Sequence, residues 1–358
     1  MTTQALLGRD PKRTAAMDQK LLYFLACSRW DYRAVRLDAA RYAIEAVRER
    51  EPTTTWIIDD TGFLKQGEHS VGVQWQYTGS AGKTTNCQIG VSLAVASSSE
   101  QIAVDFELYL PERWAGNAAR RRQARVPKDV EVKTKIELAL EMMRRAKQDD
   151  IPGSIVLADS AYGDSTDFRN SARALGFDFA VGVLPTLGVV QLDRNDRINE
   201  KPRSGAAVVA SLPKAAFRKV TWRDATRRKL CSRFCFVRVL TTHKDVLPLE
   251  AREPLWLVAE WPEAEKEPSK FLLTTLPRRM SKKQIVHLLK ERWRTERMYE
   301  DLKGELGLDH FEGRSFPGWH HHVSVVLCCY AFVVAEGVRA FPPSTAGSRR
   351  NRPLQVAA

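Results

Sequence analysis

Two short apolar runs, far apart in the chain, each end in an aspartate. The first is WIIDD, from Trp56 to Asp60, and the second is SIVLAD, from Ser154 to Asp159. A β-branched apolar run that stops at turn-forming residues is typical of a strand buried on both faces. Both runs therefore predict an interior strand that delivers a carboxylate to its end. Such strands need helices over both faces of their sheet, which predicts an α/β fold.

A third feature is a charged helical pattern within residues 290–319. Arg292, Glu296 and Lys303 recur at offsets of four and seven residues, which places them on one face of a helix. For an ordinary charged helix, the common explanation is a solvated face with ion pairs one turn apart. The two strand-end aspartates shift the balance towards a functional cluster.

Two strand-end carboxylates and a helical glutamate are the ligands that a two-metal phosphoryl-transfer site needs. Mg²⁺ and Mn²⁺ prefer oxygen ligands, and a pair of such ions holds the attacking and leaving oxygens in line. We therefore expect Asp59, Asp159 and Glu296 to bind two Mg²⁺ or Mn²⁺ ions together. Asp60 competes with Asp59, because adjacent strand residues face opposite sides and only one of them can point at the metals.

The balance of charge indicates the class of partner. Of 358 residues, 56 are Lys or Arg and 43 are Asp or Glu, which gives a formal net charge of +13. This excess favours a polyanionic partner, with nucleic acid as the default, since phosphate neutralisation supplies most non-specific affinity. The alternative is a basic soluble protein without such a partner. The six cysteines show no zinc-type CxxC pairing, and we interpret them as buried side chains in a reducing cytoplasm.

These residues resemble the DDE transposases of bacterial insertion sequences, in the subgroup marked by a Y-x2-R-x3-E-x6-K signature. Arg292, Glu296 and Lys303 match that signature at the right spacing, whereas Leu289 stands at the tyrosine position. The resemblance spans roughly residues 20–339 and covers further segments in the expected order. These are Asp59-Asp60-Thr61, Asp159-Ser160-Ala161-Tyr162-Gly163, and Gly307 to Arg314 with Trp319 beyond it.

The resemblance implies an enzyme that cuts DNA at the element ends and joins the freed strand to target DNA, with the three acids as metal ligands. Arg292 and Lys303 would clamp the phosphates beside the scissile bond. The family pattern, an aspartate two residues before Thr or Ser, favours Asp59 over Asp60. Glu300 is a rival for the glutamate position, but it would leave the spacings to the arginine and lysine unmatched.

Double-stranded DNA is the implied partner, both as the element's terminal repeats and as target. A homodimer on DNA is expected because paired ends normally need at least two subunits. No membrane association is expected, and the predicted location is the cytoplasm, at the nucleoid. Basic residues of the β-rich region, including Arg227 and Arg228, are further candidates for phosphate contacts.

The order of predicted elements is that of a ribonuclease H-like mixed-sheet core. The resemblance implies a β-rich insertion before the catalytic glutamate and an N-terminal helical region shorter than the family's. The predicted regions are the helical region 1–51, the first part of the core 52–185, the insertion 186–270, the second part of the core with the signature helix 271–341, and a disordered tail 342–358.

Three local expectations concern the surface and the C-terminus. The segment Pro111 to Lys128, with Arg120, Arg121, Arg122 and Arg125, is predicted to be a basic loop that either contacts DNA phosphates or is merely solvated. His320, His321 and His322 are expected at a helix start, with a solvent or DNA-backbone role. The helix over 322–339 is expected to be buried and too short to span a bilayer.

Three functional hypotheses follow. The leading one is a DNA transposase that acts by metal-dependent cleavage and strand transfer. The main alternative is a catalytically impaired or shortened transposase-derived protein that only binds DNA. A third is a structure-directed nuclease on the same core.

Overall fold

The computed structural model describes residues 11–198, 200–224, 229–242 and 247–341. The helices are α1 Pro11–Cys27, α2 Tyr32–Arg48, α3 Glu112–Ala115, α4 Ala118–Gln123, α5 Lys135–Gln148, α6 Ser160–Gly163, α7 Thr166–Ala174, α8 Gly205–Ala210, α9 Lys282–Lys290, α10 Trp293–Gly304 and α11 Phe316–Ala340. The strands are β1 Thr55–Leu64, β2 Gln74–Thr78, β3 Lys83–Ala96, β4 Gln101–Tyr109, β5 Ile155–Ala158, β6 Asp178–Val183, β7 Gly188–Gln191, β8 Arg203–Ser204, β9 Arg218–Asp224, β10 Lys229–Thr241, β11 Leu255–Trp261 and β12 Lys270–Thr274.

In the described parts of the chain, all twelve strands form one mixed sheet. Its order is β2-β3-β1-β5-β6-β12-β11-β10-β7-β8, with β4 also on β3 and β9 also on β10. The β1 to β5 and β5 to β6 pairs are parallel, and the others are antiparallel. The meander β1, β3, β4 followed by the parallel strands β5 and β6 is compatible with a ribonuclease H-like fold.

Strand β1 is buried on both faces, as its sequence predicted. Ile57 and Ile58 are each fully buried, and they belong to different core clusters on opposite sides of the sheet. Trp56 donates its indole N–H to the carbonyl of Pro152 at 2.8 Å, which ties β1 to the loop before β5. The apolar run stops at Asp59, but β1 itself continues to Leu64, because residues 59–64 also pair with β3. The predicted strand end at Asp59 was therefore wrong, and both aspartates lie within the strand.

The β-rich region after β6 continues the same sheet. Strand β12 pairs with β6, β11 with β12 and β10 with β11, all antiparallel. Strands β9 to β12 make this region rich in β-structure, while the boundaries of the predicted regions stay predictions. Arg227, Arg228 and the tail 342–358 lie outside the described residues.

The C-terminal helix corrects the prediction for the three histidines and for the helix length. Helix α11 begins at Phe316, because Ser315 caps it. His320 and His321 consequently lie inside the helix and are buried, rather than exposed to solvent or DNA. His320 stacks on Tyr32 with ring centroids 4.5 Å apart, and burial lowers its pKa well below the usual range.

At 25 residues, α11 is long and apolar enough to cross a membrane by length and composition alone, so the expectation that it is too short was wrong. About half of its residues are buried within the protein, and it packs against α2 and β4. Its Ser324 hydroxyl accepts a hydrogen bond from the buried Arg36 at 2.7 Å. This packing is that of a core helix.

Candidate active site

Asp59 and Asp159 lie on neighbouring parallel strands. Strand β1 pairs with β5 in the register Thr55 to Ile155 through Ile57 to Leu157. When that register is continued by two residues, Asp59 lies beside Asp159, on strands about 4.8 Å apart. Electrostatics supports this placement, since the negative charge of Asp159 helps to raise the pKa of Asp59. The structure thus brings these two predicted acids together.

The carboxylate of Asp59 is buried and ion-paired. Only 8% of the residue is exposed. Arg292 donates from Nη1 to Oδ2 at 2.6 Å, and the backbone N–H of Asp60 donates to Oδ1 at 2.9 Å. Burial raises the pKa of Asp59 to about 7, against the opposing effect of Arg292. The group therefore changes charge near neutral pH.

Asp159 begins a helical turn. Its Oδ1 accepts a hydrogen bond from the backbone N–H of Ala161 at 2.9 Å, which caps α6. The residue is half-buried at the end of β5. Its position thus follows from the strand before it and from the helical turn after it.

Asp60 points away from Asp59. Its Oδ2 accepts hydrogen bonds from Lys135 Nζ at 3.0 Å and from Tyr162 Oη at 3.3 Å. These contacts join β1 to α5 and α6, and they give Asp60 a role in fixing the strand ends. Lys135 and Tyr162 were not among the predicted site residues, although Tyr162 lies in the segment that carries the resemblance.

The signature segment forms two helices where one was predicted. Ser281 caps the first through a capping box with Gln284. The helix then ends at Lys290, and α10 begins at Trp293. The backbone between them stays right-handed but tightens to three-residue hydrogen bonds, such as Thr295 N–H to Arg292 O at 3.0 Å. This short turn places Arg292 at the start of α10.

One face of α10 contacts β1 and β3. Tyr299 Oη lies 2.6 Å from Ser92 Oγ, and Ser92 is the register partner of Asp59. Lys303 donates from Nζ to Thr61 Oγ1 and to the carbonyl of Gly62, both at 2.8 Å. Burial lowers the pKa of Lys303. Lys303, which we had predicted to bind phosphate, is therefore bound to the strand that carries Asp59.

Glu296 is exposed in the first turn of α10. Its helical spacing places it on the same face as Tyr299 and Lys303. In the described chain it makes no hydrogen bond or ion pair, so the alternative of an Arg292 to Glu296 pair does not hold; Arg292 pairs with Asp59 instead. Glu300, the rival acid, is exposed and lies 3.9 Å from Arg297.

The three predicted acids do not form a closed metal site in this structure. Across the residues that the structure describes, no group of three or more His, Cys, Asp or Glu side chains lies close enough to hold a metal ion. Two aspartates are adjacent, whereas the glutamate is on the neighbouring helix. The carboxylate of Asp59 is instead paired with the guanidinium of Arg292.

The basic segment before α5 is partly helical, which corrects the predicted loop. It contains α3 and α4. Arg120 and Arg121 donate to backbone carbonyls of Glu68 and Val130, so these two arginines brace the local fold. Arg122 and Arg125 are exposed.

Comparison with known proteins gives two matches. The family described as DDE superfamily endonuclease matches residues 3–229. A probable transposase for insertion sequence element IS701 from Microchaete diplosiphon is 29% identical over 166 residues, which are 46% of this chain and 40% of that protein. The chain thus spans about two fifths of that relative's length. Because the family match covers more than half of the sequence and includes both adjacent aspartates, the chain belongs to the DDE superfamily endonucleases.

Proposed function

We propose that this protein is the DNA transposase of an insertion sequence, which cuts DNA at the element ends and transfers the cut strand into target DNA. The observation that carries the proposal is the pair Asp59 and Asp159 on adjacent parallel strands, with Arg292 from the start of α10 bound to Asp59. The proposal includes a ribonuclease H-like core extended by the β-rich region 186–270. Family membership and the name of the IS701 relative support it.

The residues fit divalent cations. A buried carboxylate beside a second carboxylate is stabilised by positive charge, and here Arg292 supplies it. Asp59, Asp159 and Glu296 would hold two Mg²⁺ or Mn²⁺ ions, which accept such oxygen ligands. When bound, such ions activate a water or a 3′ hydroxyl for attack and stabilise the charge that develops on the phosphate.

The side chains around the acids have separate tasks in this proposal. Arg292, at the start of α10, would exchange its bond to Asp59 for two oxygens of a DNA phosphate, since a guanidinium binds such pairs of oxygens well. Tyr299 and Lys303 hold α10, the helix that carries Glu296, on β1 and β3. Asp60, through Lys135 and Tyr162, keeps the end of β1 beside α6.

Double-stranded DNA is the proposed partner, as terminal repeats and as target, and two copies of the chain would act on paired ends in the cytoplasm. Arg227 and Arg228 would add phosphate contacts. The net charge of +13 supports a polyanionic partner.

A second candidate is a DNA-binding protein that has lost cleavage. The separation of Glu296 from the two aspartates in this structure favours it. The two functions differ in one measurement, because only the transposase cuts DNA when Mg²⁺ is present.

The test uses DNA that carries the ends of the element, with Mg²⁺ or with EDTA. We expect strand cleavage by the wild type with Mg²⁺, and a fall of at least about 100-fold for Glu296→Gln, which removes a metal-ligand charge while keeping the side-chain shape. Glu300→Gln is the matched control, because it changes an exposed glutamate on the same helix. Equal cleavage by wild type and Glu296→Gln, or no cleavage at all, would refute the proposed chemistry.

A further inference from the structure

The hairpin of β2 and β3 carries two large aromatic side chains in solvent. Trp75 is 69% exposed and Tyr77 is 63% exposed. They are alternate residues of β2, so both project from one face of the strand. Across the hairpin they stand opposite Asn86 and Thr84. An exposed tryptophan beside an exposed tyrosine is a costly surface unless something covers it.

The turn of this hairpin is attached to the candidate active site. Ser80 Oγ lies 3.0 Å from Thr61 Oγ1, accepts from the backbone N–H of Gly62 at 3.2 Å and accepts from Lys303 Nζ at 3.4 Å. A Cβ on Gly62 would come within 2.1 Å of Thr78 Oγ1. Glycine at position 62 therefore lets the end of β2 pack directly on the strand that carries Asp59.

The charge of the hairpin suits a polyanion. From His69 to Ser99 the sequence contains no aspartate or glutamate, in a chain that has 43 of them. Lys83 is exposed at the start of β3. The segment is thus locally cationic and aromatic, which is the combination that binds nucleic acid bases and phosphates together.

From these observations we infer that Trp75 and Tyr77 form a stacking site for unpaired bases of the DNA end held at the active site. The inference rests on the proposed function, since the site adjoins the strand of Asp59. Stacking on an aromatic ring accepts any base, because every base presents a π-face. The site would hold the end in place without reading its sequence.

The experiment measures binding without cleavage. The probe is a short duplex with an unpaired 3′ extension that carries 2-aminopurine, compared with the same duplex made blunt, both in EDTA. The variant Trp75→Ala with Tyr77→Ala should bind the extended duplex at least about fivefold more weakly and should no longer quench the 2-aminopurine. Binding to the blunt duplex should be unchanged within about twofold.

Two controls accompany the variant. Trp75→Phe with Tyr77→Phe keeps both rings and should restore most of the binding. Phe332→Ala removes an aromatic side chain that is 58% exposed on α11, far along the chain from the hairpin, and should change neither signal.

Three outcomes would overturn the inference: unchanged binding of the extended duplex, equal weakening for both duplexes, or loss of self-association in sedimentation with DNA binding intact. The last would assign the aromatic pair to a second copy of the chain. If the wild type itself fails to bind DNA, the proposed function fails as well. If it binds but the variant behaves like the wild type, only the stacking site is refuted.

Discussion

At the scale of single residues, the charge of Asp59 is the central quantity. Burial raises its pKa, the neighbouring Asp159 adds to the rise, and Arg292 opposes it. In the proposed site, this carboxylate would bind a proton, the guanidinium of Arg292 or a metal ion. Burial makes the carboxylate a strong potential ligand. It also makes the charged form of Asp59 costly for the folded protein when no cation is near.

The first prediction follows from that cost. The folded-state pKa of Asp59 is about 7, above its ordinary value of 3.8, so the folded state binds more protons between these values. The contribution of Asp59 to the free energy of unfolding is therefore present below about pH 4 and is lost as pH rises through about 7. Asp59→Asn should lack this loss. Urea midpoints measured between pH 4 and 8 should converge at the acidic end and favour the variant at pH 8.

Glu51 provides the control for that experiment. It is another partly buried carboxylate, but hydrogen bonds from Ser97, Ser98 and Ser99 outweigh burial and lower its pKa. At neutral pH, Glu51→Gln should lower the free energy of unfolding, whereas Asp59→Asn should raise it. If Asp59→Asn shows the same pH profile as the wild type, the carboxylate of Asp59 is already ionised at acidic pH, and the proposed competition between proton and metal is wrong.

At the scale of elements, much of the site followed from local pattern. The strand before Asp159 was predicted because it depends on neighbouring residues alone. The end of β1 was not, because the strand is prolonged from Asp59 to Leu64 by its pairing with β3. The break at Glu291 and Arg292 was not, since neither glycine nor proline marks it and both residues keep right-handed backbone angles. The burial of His320 was also missed, because it depends on α2, which lies far away in sequence.

The ion pair of Arg292 with Asp59 was missed for the same reason, because it joins residues that are distant in sequence. A periodicity shows which face of an element is buried, but it does not show against what. The phosphate contact predicted for Lys303 came from the family resemblance, and in this structure Lys303 binds Thr61 and Gly62.

A second prediction concerns the anchor of the β2 to β3 hairpin. Lys303→Met keeps the aliphatic stem but removes the bonds to Thr61, Gly62 and Ser80. Hydrogen exchange should become faster in residues 78–83, because the hairpin turn loses its attachment to β1. Lys83→Met changes an exposed lysine of the same hairpin and should leave the exchange unchanged. Equal exchange in wild type and Lys303→Met would show that Lys303 does not hold the turn.

A third prediction concerns the charged core between α2, β4 and α11. Arg36 is 1% exposed and donates to Asp105 at 3.1 Å and to Ser324 at 2.7 Å. Although burial raises the pKa of Asp105, Arg145 and Arg36 hold it below its usual range. Arg36→Ala would leave this buried carboxylate short of a partner, and we expect a loss of about 3–5 kcal/mol in the free energy of unfolding.

Arg33 is the matched comparison for that measurement. It pairs with Glu107 at 3.0 Å, but half of its side chain is exposed. Arg33→Ala should cost no more than about 1 kcal/mol, because solvent screens the exposed guanidinium and the buried Glu107 keeps its pair with Arg145. Similar losses for the two variants in urea unfolding would mean that burial does not set the cost of removing either arginine, contrary to this prediction.

At the scale of the whole molecule, the excess of positive charge is partly used inside the fold. Arg36, Arg145 and Lys290 neutralise buried acids, and Arg120 and Arg121 bind backbone carbonyls. The charge available to DNA must therefore come from exposed side chains. The net charge of +13 predicts a partner of negative charge, while the structure determines which residues can contact that partner.

The last prediction uses that distinction. Binding of DNA without metal should weaken steeply with salt, with a logarithmic slope of about −0.9 for each phosphate contacted, because condensed counterions are released. Arg122 and Arg125 are exposed between α3 and α5, so Arg122→Gln with Arg125→Gln should make the slope shallower by up to about two units. Lys219→Gln is the control, because this exposed lysine already pairs with Glu263 at 2.6 Å. A slope that the double variant leaves unchanged would mean that this basic segment is only solvated, and a flat response of the wild type would contradict a DNA partner altogether.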